Sequence, residues 1–170
     1  MRSFPSKSGG YSLIELVIYL AIFIGISVVI IHSLVSIMRT YATAESYRRL
    51  QNNGELAMER IVREVRQANS ITAGASTFDT SPGTLSIAST DEDSVNHIIV
   101  FDVADGALRM TDNADSGNLT SSEVVVSSLL FRNISTAGGG GVKIELVLST
   151  ANGHSASAPF YSTVMLRGNE

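Results

Sequence analysis

The 170-residue chain has no cysteine, which removes disulfides, thiolate metal sites and cysteine nucleophiles together. A domain made from it and exported would hold together by packing alone. Its three histidines, His32, His97 and His154, are scattered and belong to no His-x-x-His or Glu-x-x-His spacing, so no metal or catalytic histidine site is expected. Serine is plentiful, yet no Gly-x-Ser-x-Gly elbow occurs, and a serine hydrolase has nothing to rest on. Basic charge is scarce where it would matter for nucleic acid. Residues 71–170 hold four basic against eleven acidic groups, and affinity for phosphates comes largely from Lys and Arg. Neither an enzyme, a cofactor nor a nucleic-acid partner is expected.

Charge is also missing from one long stretch near the N-terminus. Residues 16–38 give 23 consecutive positions without an acidic or a Lys/Arg side chain, enough for the roughly 20 residues a helix needs to cross the hydrocarbon core. A buried core helix is the alternative, but soluble cores seldom need an apolar run this long. A cleaved secretory signal is a second alternative. Its apolar core should run about 7–15 residues and end at small residues, whereas this run is longer and continues through His32-Ser33-Leu34. Arg2 and Lys7 precede the span and Arg39, Arg48 and Arg49 follow it. With the free amino terminus the positive-inside rule modestly favours a cytoplasmic N-terminus in the cytoplasmic membrane, with the C-terminal domain on the far side.

Immediately before the span stand Ser8-Gly9-Gly10-Tyr11-Ser12-Leu13-Ile14-Glu15-Leu16. This stretch resembles the processing site of type IV pilins and type II secretion pseudopilins: a Gly, then an aromatic residue, Ser or Thr, Leu, an aliphatic residue, Glu and Leu. The resemblance implies that a prepilin peptidase cuts the Gly10–Tyr11 bond on the cytoplasmic side and methylates the new amine of Tyr11. It further implies that Glu15 pairs with such an amine, its own or a neighbouring subunit's, and that the partners are the peptidase, other pilin or pseudopilin subunits, an inner-membrane assembly platform and membrane lipid. The chemistry agrees with the pattern. Gly10 has no side chain to hinder a protease, and Gly9-Gly10 discourages the helix from running back into the leader. A carboxylate at the mouth of a membrane span costs about 2–3 kcal/mol near the helix centre and less at the interface, so Glu15 needs a reason to be there.

Beyond Met38 no proline occurs before Pro82. Leu50, Ala57, Ile61, Val65 and Ala68 form one helical stripe, with Glu and Arg residues between them. The pattern predicts that the helix continues as an amphipathic stem to about Asn69. Its weak point is Asn52-Asn53-Gly54, where Gly costs about 1 kcal/mol in a helix interior and the residues leave a kink or local break open. Short β-type runs follow: Thr84–Ala88, His97–Val103, Leu108–Thr111, Val124–Phe131, Val142–Leu148 and Tyr161–Leu166. Asp105-Gly106 reads as a hairpin turn. Gly138–Gly141 reads as a flexible connection. Asp91-Glu92-Asp93 and Asp112–Asn118 carry oxygen ligands without the twelve-residue calcium-loop pattern and read as solvated turns.

The expected fold is therefore α+β, a long N-terminal helix packed by its stem against an antiparallel sheet. Its parts are a basic leader 1–10, a transmembrane and assembly helix 11–38, a stem 39–70 and a β-rich extracytoplasmic head 71–170. The Arg-rich stem Met58-Glu59-Arg60-Ile61-Val62-Arg63-Glu64-Val65-Arg66 is similar to that of J-type minor pseudopilins and related minor pilins. Tyr11 where Phe is commoner, and the lack of both a proline in the span and a C-terminal disulfide, depart from many family members. The function implied is that of a structural subunit of a pilus or pseudopilus. The alternative that the residues leave open is an uncleaved, signal-anchored receptor or binding module.

Overall fold

The computed structural model describes residues 12–90, 95–136, 139–151 and 156–166. The chain divides into two compact units, Met1–Ala42 and Thr43–Glu170, and a single helix, α1 (Leu13–Gln67), runs through the boundary between them. Ser12 opens the helix, its carbonyl accepting from the Glu15 and Leu16 N–H groups at 3.0 and 3.2 Å. Glu15 lies in the first turn and Arg66 in the last, the charge placement that complements the helix dipole.

Within the first unit α1 is apolar on every side. Two of its hydroxyls turn back onto the helix: Ser27 Oγ donates to the Phe23 carbonyl at 2.8 Å and Thr40 Oγ1 to that of Ser36 at 3.0 Å. A helix satisfies its own backbone groups, which hydrocarbon requires of anything that crosses it. This helix is long and apolar enough to cross a membrane.

The second unit is the α+β fold. Five antiparallel strands form one sheet in the order β1 (Ser70–Ile71), β2 (Leu85–Thr90), β3 (Asn96–Ala104), β4 (Ala107–Asp112) and β5 (Asp115–Asn118). Three more, β6 (Val124–Thr136), β7 (Gly139–Thr150) and β8 (Ser157–Met165), form a second antiparallel sheet. The sequence pattern led to one sheet, and the structure has two. The division falls at Leu119-Thr120: the Leu119 N–H bonds the Leu108 carbonyl at 2.7 Å and the buried Thr120 hydroxyl accepts the Leu108 N–H at 3.0 Å. A side chain thus takes a ladder donor of β4, and the chain leaves the sheet.

Alternation puts one face of each sheet into a common core. Leu85 pairs with Phe101 and Phe101 with Met110, while Ile87 pairs with Ile99. In the second sheet Leu129, Leu146 and Phe160 form one row, and Val126, Leu148 and Ala158 another. A bulge between Val126 and Ser128 shifts the register. It lets Val124 and Val126 point to the same face as Leu129 and Phe131, although the spacing across the bulge is odd. Against these faces lie Leu50, Ala57, Ile61, Val65 and Ala68, all fully buried, as the helical stripe predicts.

One point left open is resolved and one expectation fails. The helix does not break at Asn52-Asn53-Gly54. Gly54 is buried, and a Cβ there would fall on the ring of Phe160; Asn53 Nδ2 donates to the Arg49 carbonyl at 2.9 Å while its Oδ1 accepts the Ser121 N–H at 2.8 Å. Tertiary contact outweighs poor helix propensity here. Gly139–Gly141 are not a flexible connection but the start of β7, paired with Ile134–Thr136. Strand β5 was not foreseen, since Asp-Ser-Gly-Asn is poor in β-formers; it exists because Asn113, at φ 51°, closes a two-residue turn with Asp112 opposite Asp115. The Asp105-Gly106 turn, at φ 52° and 76°, joins β3 to β4 as expected.

Candidate functional site

The sequence singled out Gly10, Tyr11 and Glu15. Gly10 and Tyr11, with the leader, lie outside the described residues, as do Asp91-Glu92-Asp93, Gly138 and His154. Glu15 is placed in the first turn of α1, partly exposed, where Tyr19 Oη donates to its Oε1 at 3.0 Å. The i,i+4 spacing of Glu15 and Tyr19 was visible in the sequence and would have found this partner. Tyr19 holds the carboxylate along the helix axis and leaves it acceptor capacity, because an ionised carboxylate offers about four lone-pair sites.

Around Glu15 the first unit displays an unpartnered apolar surface. Every large apolar side chain from Leu13 to Met38 is exposed, from 41% at Val35 to 84% at Leu13. Removing one such side chain from water is worth about 1.5–3 kcal/mol, so a surface of nearly twenty of them demands lipid or protein around it. Glu15 is the one acid and His32 the one histidine between Leu13 and Met38, with no Lys or Arg among them.

Several charges of the second unit are paired. Arg49 binds Glu45 at 3.2 Å and also Glu123; the hydrogen bond it donates to Glu45, then the charge of Glu123, hold its guanidinium above the ordinary arginine range. Arg60 Nε lies 2.9 Å from the buried Glu64 carboxylate, at an angle that makes the contact an ion pair rather than a hydrogen bond. Asp102 and Arg109, cross-strand partners, form a two-pronged pair at 3.0 and 2.5 Å. Arg132 reaches Asp79 and Glu145, both at 3.1 Å, and Lys143 reaches Glu145 at 2.9 Å. Hydrogen bonds from Lys143 and Arg132 hold the Glu145 carboxyl below its ordinary value.

A shallow groove of about 300 Å³ lies where Arg60 faces Met110, Asp112, Asp115 and Asn118. Asp112 there is engaged by His97 Nδ1 at 2.8 Å. Among the described residues no three His, Asp or Glu side chains are placed to hold a metal ion. The Asp112–Asn118 segment is a hairpin, with its carboxylates on β4 and β5.

The long apolar N-terminal helix followed by antiparallel sheet is an arrangement consistent with a pilin-like architecture. Comparison with known protein families, curated proteins and solved structures gives no match to the chain.

Proposed function

We propose that the chain is a structural subunit of a type IV pilus or a type II secretion-like pseudopilus, cut after Gly10, methylated on the Tyr11 amine and assembled through its N-terminal helix. One observation carries the reading. The apolar part of α1, whose large side chains are all exposed among the described residues, begins two residues after Tyr11 and holds a single acid, Glu15, in its first turn. A membrane anchor needs the apolar surface but gains nothing from the acid. An assembling helix uses both. The apolar surface passes from lipid to like helices, and Glu15 pairs with a Tyr11 amine, which sets the register of neighbours rather than adding much stability.

In this reading the N-terminus faces the cytoplasm before cleavage and the second unit is extracytoplasmic. The partners are a prepilin peptidase, sister subunits and an assembly platform in the cytoplasmic membrane. Co-expression with a prepilin peptidase, followed by mass spectrometry of the N-terminus, is the test. The expected product begins at Tyr11 and carries one methyl group. An intact Met1, or a cut beyond residue 30, sinks the proposal. Gly10→Phe is expected to stop processing and assembly, whereas an uncut anchored receptor would not respond to it.

A further inference from the structure

The proposed assembly gives a use to the acid in the apolar helix but none to the base. His32 stands well inside the apolar run, six residues short of Met38, where an ionisable side chain is expensive and normally has a partner. Its own helix supplies no acid. The side chains within one turn of it are Val28, Val29, Val35 and Ser36. A second copy lying at the same depth places another His32 beside it, which helps neither. The sole carboxylate that a neighbouring apolar helix can present is Glu15.

We propose that His32 is the docking site for Glu15 of a second copy of this chain, displaced along the helix axis. This rests on the assembly reading above and adds to it a specific contact. Glu15 and His32 are 17 positions apart, so the displacement is about 25 Å at 1.5 Å per residue, with the two groups about 100° apart around the helix. Two different faces are thus used, one on each copy. A contact of that kind does not close into a pair but repeats from copy to copy, as a filament requires. The imidazole N–H donates to a carboxylate oxygen, and Tyr19 and a neighbouring amine are accommodated on the same carboxylate.

The displacement also gives the contact a time. Copies resting at equal depth in a bilayer hold Glu15 and His32 about 25 Å apart. When one copy moves outward, its Glu15 is drawn into the hydrocarbon, where a carboxylate is least welcome. His32 of a copy still in place meets it there. The charge complement is formed by extraction and by no lateral association of stored subunits.

Because the chain has no cysteine, the contact is testable in the full-length protein, expressed with a peptidase and assembly platform that process and assemble it. The Ile18→Cys, Val35→Cys double variant sits one helical turn along from the proposed pair and leaves Glu15, its Tyr19 partner and His32 in place. Oxidised filaments are expected to give a ladder of covalent multimers, because each copy links to the next, while either single variant gives none beyond dimers. Filaments that form without the ladder overturn the proposal. His32→Leu is expected to lower filament yield about tenfold with cleavage after Gly10 unchanged, and the His32→Gln variant, which keeps an N–H donor, to recover part of it. Unaltered yield in His32→Leu also overturns it. If the parent chain is neither cleaved nor assembled, the assembly reading itself fails, a result distinct from filaments lacking the ladder.

Discussion

The two units use the same helix in opposite ways. From Leu13 to Ala42 no position on α1 is buried, and no sheet residue is needed to explain its sequence. From Leu50 to Val65 the helix is sorted into a buried stripe and a charged face, and even its glycine is fitted to a particular ring. Where the partner is in the same chain, each side chain is specified by its contact. From Leu13 to Met38, where no described residue of the chain buries the helix, its sequence is apolar but for Glu15, His32 and a few serines. The two glycines state the contrast compactly: a Cβ at Gly25 meets nothing within 4 Å, whereas one at Gly54 meets Phe160.

Changes in the two units should therefore have separable effects. The largest is expected from Phe131→Ala, which empties a fully buried site and should cost about 3–5 kcal/mol of stability in the second unit. Denaturant unfolding measures it, and membrane fractionation should not change. Ile26→Lys should do the reverse, raising the cost of insertion by about 3 kcal/mol and moving the protein out of the membrane fraction while the sheet signal in circular dichroism stays intact. Gly54→Leu should destabilise the second unit by about 1–3 kcal/mol through overpacking against Phe160, and Gly25→Ala should not. A matching loss from both glycines would erase the distinction drawn here. Asn53→Ala, which removes the acceptor of the Ser121 N–H, should cost about 1 kcal/mol.

The smallest effect concerns pH. The Glu145 carboxyl titrates below its ordinary value of 4.5 in the folded chain, so folding is favoured wherever it is ionised. Its contribution is present above that value and is lost as pH falls through the lower, folded value. The midpoint difference between the wild type and Glu145→Gln in urea should shrink on acidification from neutrality through the carboxylate range. A difference that grows instead contradicts the ion-pair geometry with Lys143 and Arg132.

The helix, its buried stripe and the Asp105-Gly106 hairpin were legible because each is local: a period, a face, a turn that demands positive φ. The split into two sheets was not. It depends on Thr120 reaching the Leu108 N–H, a pairing that no spacing announces. The fate of α1 at Gly54 was left open by the sequence for a similar reason, because Phe160 lies over a hundred residues away in sequence. The bulge in β6 was hidden in a run of β-formers, where either phase looks acceptable. At the site, Glu15 was conspicuous as an acid against an apolar background. Its hydroxyl partner Tyr19 was overlooked because an aromatic residue in such a run reads as one more apolar side chain.

The back-bonded hydroxyls of Ser27 and Thr40 bear on the speed of exchange between environments. With their donors already satisfied on α1, these two hydroxyls offer a neighbouring molecule acceptor lone pairs alone. At those positions one apolar neighbour can replace another with only van der Waals contacts to trade, and such contacts are individually weak. At these two positions the helix presents a neighbour with a surface that has no free donor.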